Sequence, residues 1–355
     1  MRLVHRGDEI AEFTRAAGRI LGRAVPFDGI CMLTLDPATL LPTGEVVENG
    51  LPPAATARMS EIELRADDVN SFRSLARSGQ TAASLSEATR GDLDRSLRHR
   101  ELRRPNGFGD ELRAVLADNT GTWGALTLLR GDDSAPFSAA DVTLVRSFTG
   151  GLADGVRRAI LHRALPARSD DEEKDVPGIV LVAGDNELSA ADAAGERWLD
   201  ELAGAGADAV LPPVVSAVAN RARAISAGGA PAEGPARARV RTASGAWLVV
   251  RGSALVDDRA ARIAVTFEPI RPHELAPLIA DAYELTDRER AVTGLVACGL
   301  PTDAIARRLY LSPWTVQDHL KSIFEKVGVS TRGELVARLF FEHYAPRLGE
   351  GSEPG

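Results

Sequence analysis

The chain has 355 residues, 44% of them hydrophobic and 26% charged, with a formal net charge of −8. That length supports two or three domains with cores of their own, and the acidic balance excludes wholesale coating of nucleic acid or of an anionic membrane. Two cysteines far apart, Cys31 and Cys298, exclude a disulfide framework or a cysteine zinc site, and both read as small core residues.

The first residues carry no apolar leader core, and no run approaches the ~18 apolar residues of a membrane span, so a cytoplasmic location without membrane contact is expected. Ile10, Phe13, Ala17, Ile20, Leu21 and Val25 recur at helical spacing up to Pro26. Residues 29–35 read as a buried strand stopped by Asp36-Pro37. The basic run Arg95, Arg98, His99, Arg100, Arg103, Arg104 could hold an anionic ligand, but reads rather as an exposed helical turn neutralised by Asp92, Asp94 and Glu101. Strands 111–117 and 122–130 flank the turn Asp118-Asn119-Thr120-Gly121, a hairpin signal. Ser138 then caps a helix to about residue 163, with Val142, Val145, Phe148, Leu152, Val156 and Ile160 as its apolar stripe. Residues 106–148 resemble the second half of a GAF domain. The resemblance extends over most of 1–165 and implies an α+β sensor domain that takes a small-molecule ligand.

Residues 166–175, with the acidic run Asp170 to Asp175, read as a solvated linker. The block 176–271 begins with a strand at 178–183, a turn at Gly184-Asp185-Asn186 and a helix carrying Ala194, Trp198, Leu199 and Leu202. After a Gly/Ala/Pro-rich stretch at 227–235, Arg237, Arg239 and Arg241 alternate with Ala238, Val240 and Thr242. Ser244-Gly245 turns the chain into a strand at 246–252, and Ile263, Val265 and Phe267 share one face of a last strand. Period-two alternation predicts an antiparallel sheet with a charged outer face. The order of elements resembles a PAS domain. Trp123, Trp198 and Trp247 read as core.

The C-terminal region is the most informative. Two of the three lysines, Lys321 and Lys326, lie there, and residues 285–348 carry 9 basic against 7 acidic residues while the remainder is net −10. Thr286 with Glu289 is a capping box that opens a helix to about Cys298, stopped by Gly299. A short helix covers 302–310. Ser312 caps a third helix, with Pro313 at its first position and Leu311 and Val316 as a staple. Thr331 with Glu334 opens a fourth.

On the third helix Val316, Leu320, Ile323 and Val327 form the core stripe, and Trp314, Gln317, Asp318 and Lys321 face away. Gln can bond adenine, Lys guanine and Asp cytosine in the major groove, which makes Gln317, Asp318 and Lys321 the base-reading set. Thr315, His319, Ser322 and Lys326 flank it where phosphate contacts belong, and Arg307 and Arg308 are placed to cross the backbone. Residues 285–340 resemble the LuxR/FixJ-type helix-turn-helix, in the pattern LTxRE…G…IAxxLxLSxxTVxxHLxxIxxKxGVxxR. That resemblance implies double-stranded DNA as partner and a homodimer formed by the last helix through Leu335, Leu339 and Phe340. The segment departs from the family at Pro301-Thr302-Asp303-Ala304, where Ser-Asn-Lys-Glu is usual, and at Ser322, where Asn is common.

Other chemistry lacks its residues. The only lysine before Lys321 is Lys174, so neither a phosphoacceptor receiver domain nor a P-loop is present. HExxH, GxSxG and CxxC are absent, and His5, His99, His162 and His273 are scattered. No catalytic constellation and no cofactor are expected. The fold class expected is multidomain: α+β GAF-like (1–165) and PAS-like (176–271) sensor domains, then an all-α four-helix LuxR-type domain (280–345). The function expected is a one-component transcription regulator, the alternative a sensor or scaffold protein with weak or lost DNA binding.

Overall fold

The computed structural model describes residues 10–65, 68–161, 176–203, 211–228, 234–255 and 262–341. The expected linker 166–175, Lys174, His5 and His162 lie outside them. The chain divides into two units, Met1–Pro269 and Ile270–Gly355.

The first unit begins with α1 (Ile10–Ala24), β1 (Gly29–Leu35), β2 (Pro42–Glu48), α2 (Thr56–Arg65), α3 (Phe72–Ser78), β3 (Ala82–Ser84) and α4 (Leu85–Thr89), then β4 (Phe108–Asp118), β5 (Gly121–Gly131) and α5 (Ala139–Leu161). Its sheet runs β2-β1-β5-β4-β3, and every pairing is antiparallel. There follow β6 (Gly178–Val182), β7 (Leu188–Ala191), α6 (Ala193–Ala203), α7 (Pro213–Ser226), β8 (Arg237–Arg241), β9 (Trp247–Ala254) and β10 (Ile263–Pro269). The second sheet runs β7-β6-β10-β9-β8, again antiparallel throughout. Counted within each sheet, both have the strand order 2-1-5-4-3.

The predicted hairpin is present, with Asp118 opposite Gly121. Ser138 caps α5 reciprocally with Asp141: Asp141 N donates to Ser138 Oγ (3.2 Å), and Ser138 N donates to Asp141 Oδ2 (2.8 Å). The buried stripe of α5 is Val142, Val145, Thr149, Ala153 and Val156, while Phe148 is 37% exposed. The apolar periodicity of the sequence follows the larger side chains. The helix instead buries its small ones, because α1 comes close: a Cβ at Gly155 would stand 2.2 Å from the Phe13 ring. On α1 the buried side is Phe13, Ala17 and Leu21, and Ile20 faces out. All three expected core tryptophans are buried.

The basic run at 95–104 differs from expectation. Arg98 and Arg103 are buried, not exposed, and His99–Arg103 form one π-helical turn. Arg98 Nη1 donates to Asp68 (2.8 Å), its Nε to Glu111 (2.7 Å), and Arg103 Nε to Glu111 (3.1 Å). Arg113 Nη2 donates to Glu63 (2.8 Å), and its guanidinium lies 3.6 Å above the Phe72 ring. Of the predicted neutralisers, Asp94 does pair with Arg104 of the run at the surface, while Glu101 pairs with Arg58 of α2 instead. Three buried guanidiniums therefore face three carboxylates supplied from α2, the Asp68 loop and β4. Partners so distant in sequence cannot be read from local charge. Burial alone would raise the pKa of Glu111, but Arg98, Arg103 and Arg113 outweigh it and hold the carboxyl far below its ordinary range.

The arginine face of β8 is also not solvated. Ala238 and Val240 point to the core as the alternation predicts, but Arg239 is 10% exposed and pairs with Asp36, which is 2% exposed. Arg239 N and Nη2 donate to the Asp36 carboxylate at 2.7 and 2.6 Å. Arg241 Nη1 donates to the carbonyls of Ile160 and Leu161 (3.2 and 2.7 Å), satisfying the C-terminus of α5. Leu41 and Leu64, from the first sheet's half of the unit, join Val180, Trp198, Val215, Val250 and Phe267 in one apolar cluster. Two side chains from beside the first sheet, Leu41 and Leu64, thus enter the core of the second. Asp36→Ala should destabilise this unit by about 3 kcal/mol by leaving Arg239 buried and unpaired, and Asp36→Ala with Arg239→Ala should cost less than the two single changes summed. Urea unfolding of the four variants in a double-mutant cycle measures this, and additive costs would contradict it.

Cys31 is half-buried, and burial, followed by the charge of Glu45, pushes its thiol to about 12. Cys298 is exposed, correcting the core expectation. It is the C-cap of the helix ending at Ala297.

The second unit holds α8 (Pro272–Ala282), α9 (Asp287–Ala297), α10 (Thr302–Leu309), α11 (Pro313–Val327) and α12 (Arg332–Phe341). The predicted four helices are present, and α8 precedes them. Its Pro272 and Pro277 look like breakers in sequence, yet Pro272 opens the helix as its first residue.

Candidate nucleic-acid interface

The site is built on α11. Ser312 Oγ accepts from Thr315 N (3.0 Å), Pro313 supplies the first helical residue, and Gly328 ends the helix at φ 72. Val316, Leu320, Ile323 and Val327 are buried, as their spacing predicts. They join Leu285, Val292, Val296, Ile305, Ala306 and Leu335 in one core. With that face fixed, residues 314, 317, 318 and 321 must form a row on the opposite side. Trp314, Gln317, Asp318 and Lys321 are all exposed.

The flanks are uneven. Thr315 and His319 are half-buried at the edge of the row, and Arg307 and Arg308 are exposed near the end of α10. Gln317 Nε2 lies 3.4 Å from Thr302 Oγ1, a long contact that leaves the amide available. Asp303 is exposed in the first turn of α10, whose N-cap, Pro301, provides no side-chain bond.

Ser322 and Lys326, expected at phosphates, point to a different partner. Ser322 Oγ donates to Glu289 Oε1 (2.6 Å); Lys326 Nζ donates to Glu289 Oε2 (2.6 Å) and to the Glu284 carbonyl (2.9 Å). Glu289 is 4% exposed and already closes the predicted capping box with Thr286. A buried carboxylate needs a cation, and Lys326 supplies it from the far end of α11. The sequence signal is available: an acid on the buried side of its helix requires a basic partner elsewhere in the domain.

Burial tends to raise the Glu289 pKa, but bonds from Lys326, Ser322 and Thr286 prevail and set it at about 2. The folded value lies below the ordinary carboxylate value of about 4.3, so this contribution to stability is complete above the unfolded pKa and is lost as pH falls through 2. It amounts to at most about 3 kcal/mol. Amide exchange in α9 and α11 should therefore accelerate from pH 4 to pH 2 beyond the intrinsic trend. In Glu289→Gln that acid-dependent excess should vanish; an unchanged excess would refute the pairing.

The dimerisation set is corrected in part. Leu335 is 0% exposed inside its own domain, and Leu339 packs half-buried on the same core. Leu335 thus serves the fold of its own chain, while Leu339 touches that core and stays partly accessible. The side chain of Phe340 lies outside the described residues. Arg332, Gly333, Val336 and Ala337 of α12 instead line an open groove with Val296, Gly299, Leu300 and Pro301.

The second unit thus presents one polar row on a capped helix, opposite that helix's buried stripe. Residues 283–339 match the family model described as "Bacterial regulatory proteins, luxR family". This segment is a luxR-family helix-turn-helix domain. It is 47% identical over 53 residues to the "Probable transcriptional regulatory protein NarL" of Mycobacterium tuberculosis, covering 15% of this chain and 24% of that protein. It is 39% identical over 67 residues to the transcriptional regulatory protein DesR of Bacillus subtilis, covering 19% of this chain and 34% of that one. The chain thus spans a quarter to a third of the length of these relatives. A GAF domain/HD domain protein from Geobacter sulfurreducens aligns over 42% of this chain and 93% of its own, at 23% identity and a TM-score of 0.31. Among the described residues no helix is long and apolar enough to cross a membrane.

Proposed function

We propose that this chain is a one-component, cytoplasmic transcription regulator whose N-terminal unit senses a signal and controls a homodimeric DNA-reading domain. The observation that carries the reading is the exposed row Gln317, Asp318 and Lys321 on α11, directly opposite a fully buried stripe in a luxR-family domain. Gln317 would address adenine, Lys321 guanine and Asp318 cytosine, while Arg307, Arg308, Thr315 and His319 hold the backbone. The two sheets of order 2-1-5-4-3 support GAF-like (about 1–165) and PAS-like (176–271) modules, and the reading domain extends from about 280 to 345. A small molecule in the sensor unit would shift the population between two arrangements of the paired reading helices. The residues named do no covalent chemistry.

Two backbone-holding cations per protomer, Arg307 and Arg308, make about four phosphate contacts in a dimer. Binding to duplex DNA should then fall with salt at a log–log slope of about −3.6, or roughly 150-fold between 50 and 200 mM. Fluorescence anisotropy on sheared genomic duplexes measures this. A protein that acts only as a sensor or scaffold would show no salt-steep binding.

A further inference from the structure

The chain's four tryptophans divide sharply. Trp123, Trp198 and Trp247 are 0%, 3% and 7% exposed, whereas Trp314 is 75% exposed. Single exposed apolar side chains are ordinary, so exposure alone identifies nothing. Position does. Trp314 is the second residue of α11 and stands three residues before Gln317 and seven before Lys321, on the same row. The N-terminal turn of a recognition helix is the part that reaches base edges. Tyr310, in the turn just before it, is 96% exposed and sits at φ 56, a left-handed conformation costly for an aromatic residue. Two exposed aromatic residues therefore stand four positions apart at the α10–α11 turn, one of them on a backbone that would favour glycine or asparagine.

We infer that Trp314 is a specificity-determining residue that packs on a thymine C5-methyl next to the base pair read by Gln317. The inference rests on the DNA-reading function proposed above. An indole face cannot pair with the polar edges of guanine, cytosine or adenine. The thymine methyl is the one apolar group the major groove offers, and Trp314 lies in the row rather than at its rim, where Thr315 and His319 stand. Trp314 would thus add a preference for thymine that the polar residues cannot supply.

The test uses the full-length protein and duplexes selected by it from a randomised library, with binding followed by anisotropy of labelled DNA. Acrylamide should quench the free protein mainly through Trp314, because the other three indoles are buried, and Trp314→Phe should abolish that fraction. Selected duplex should shield Trp314 from acrylamide. Replacing one thymine of the site with deoxyuridine should weaken binding about fourfold, the worth of one buried methyl, and should have no effect on Trp314→Ala. The circular dichroism of Trp314→Ala should match the parent, since the ring supports no core. If duplex binds but Trp314 stays equally quenchable and no thymine methyl matters, the inference is overturned and the ring belongs to a protein-facing surface. If the library yields no enriched duplex, the DNA-reading function itself fails, and this inference with it.

Discussion

Replacing Arg98 with leucine is expected to cost the N-terminal unit about 5 kcal/mol, the upper end of what breaking a buried ion pair costs. Arg98 is 0% exposed and binds two carboxylates at once, with Asp68 at 2.8 Å from Nη1 and Glu111 at 2.7 Å from Nε. Its Nη2 also donates to the Val69 carbonyl at 2.8 Å. Asp68 in turn accepts from the backbone N of Leu97 and of Arg98 and from Ser96 Oγ, each at 3.0 Å. One guanidinium therefore ties the loop before α3, the segment 96–98 and strand β4 together.

Leucine would leave Asp68 with backbone and hydroxyl donors, and Glu111 with the bond from Arg103 and the charge of Arg113. Either carboxylate must then be held charged in a dry site or take up a proton. Because domains are stable by only about 5–15 kcal/mol, the variant should be close to unfolding at room temperature. Urea unfolding followed by circular dichroism gives the loss directly. Arg98→Leu combined with Glu111→Leu should cost less than the two single changes added, since the pair is removed together. A loss below about 1 kcal/mol for Arg98→Leu would show that the network is not holding this unit.

The second large effect concerns binding, not folding. Gln317→Ala with Lys321→Ala should weaken binding to a selected site by roughly 2–6 kcal/mol, at about 1–3 kcal/mol for each base-reading side chain removed. Both side chains are exposed, and neither belongs to the buried stripe, so the thermal midpoint should stay near that of the parent. Arg307→Ala should behave differently, weakening all duplexes alike and reducing the salt slope by about 1. Specificity loss in one variant and uniform loss in the other, each measured by anisotropy on selected and scrambled duplexes, separates base reading from backbone holding. Equal losses on both duplexes for the double variant would remove Gln317 and Lys321 from the base-reading set.

The legible parts of this chain are those with local causes. Caps at Ser138, Thr286 and Ser312 announce their helices because the bonding partner is three residues away, and α11 shows its buried face because the period is regular. The hairpin at 118–121 is local in the same way. Helix α7 gives no such signal, since Val214 to Arg223 are all buried and a helix covered on every side has no apolar stripe. Edge strands β2, β3 and β7 are short or mixed in character and carry no clear alternation. Charged residues mislead wherever the partner is distant. Arg98 meets Asp68 thirty residues away, Arg239 meets Asp36 across 203, and Lys326 meets Glu289 across 37. In each case a basic residue that local sequence would leave in solvent neutralises a buried acid. The polar row on α11 is legible for the opposite reason: its position follows from the buried face across the helix, with no distant partner to find.

Whether α11 reads DNA is decided by footprinting the full-length protein and its Gln317→Ala, Lys321→Ala variant on genomic duplexes at 50, 100 and 200 mM salt. Discrete protected sites are expected for the parent, fading steeply as salt rises, together with their loss in a variant that remains folded. Protection identical in parent and variant, or no protected site for the parent at 50 mM salt, would contradict the DNA-reading role of this helix.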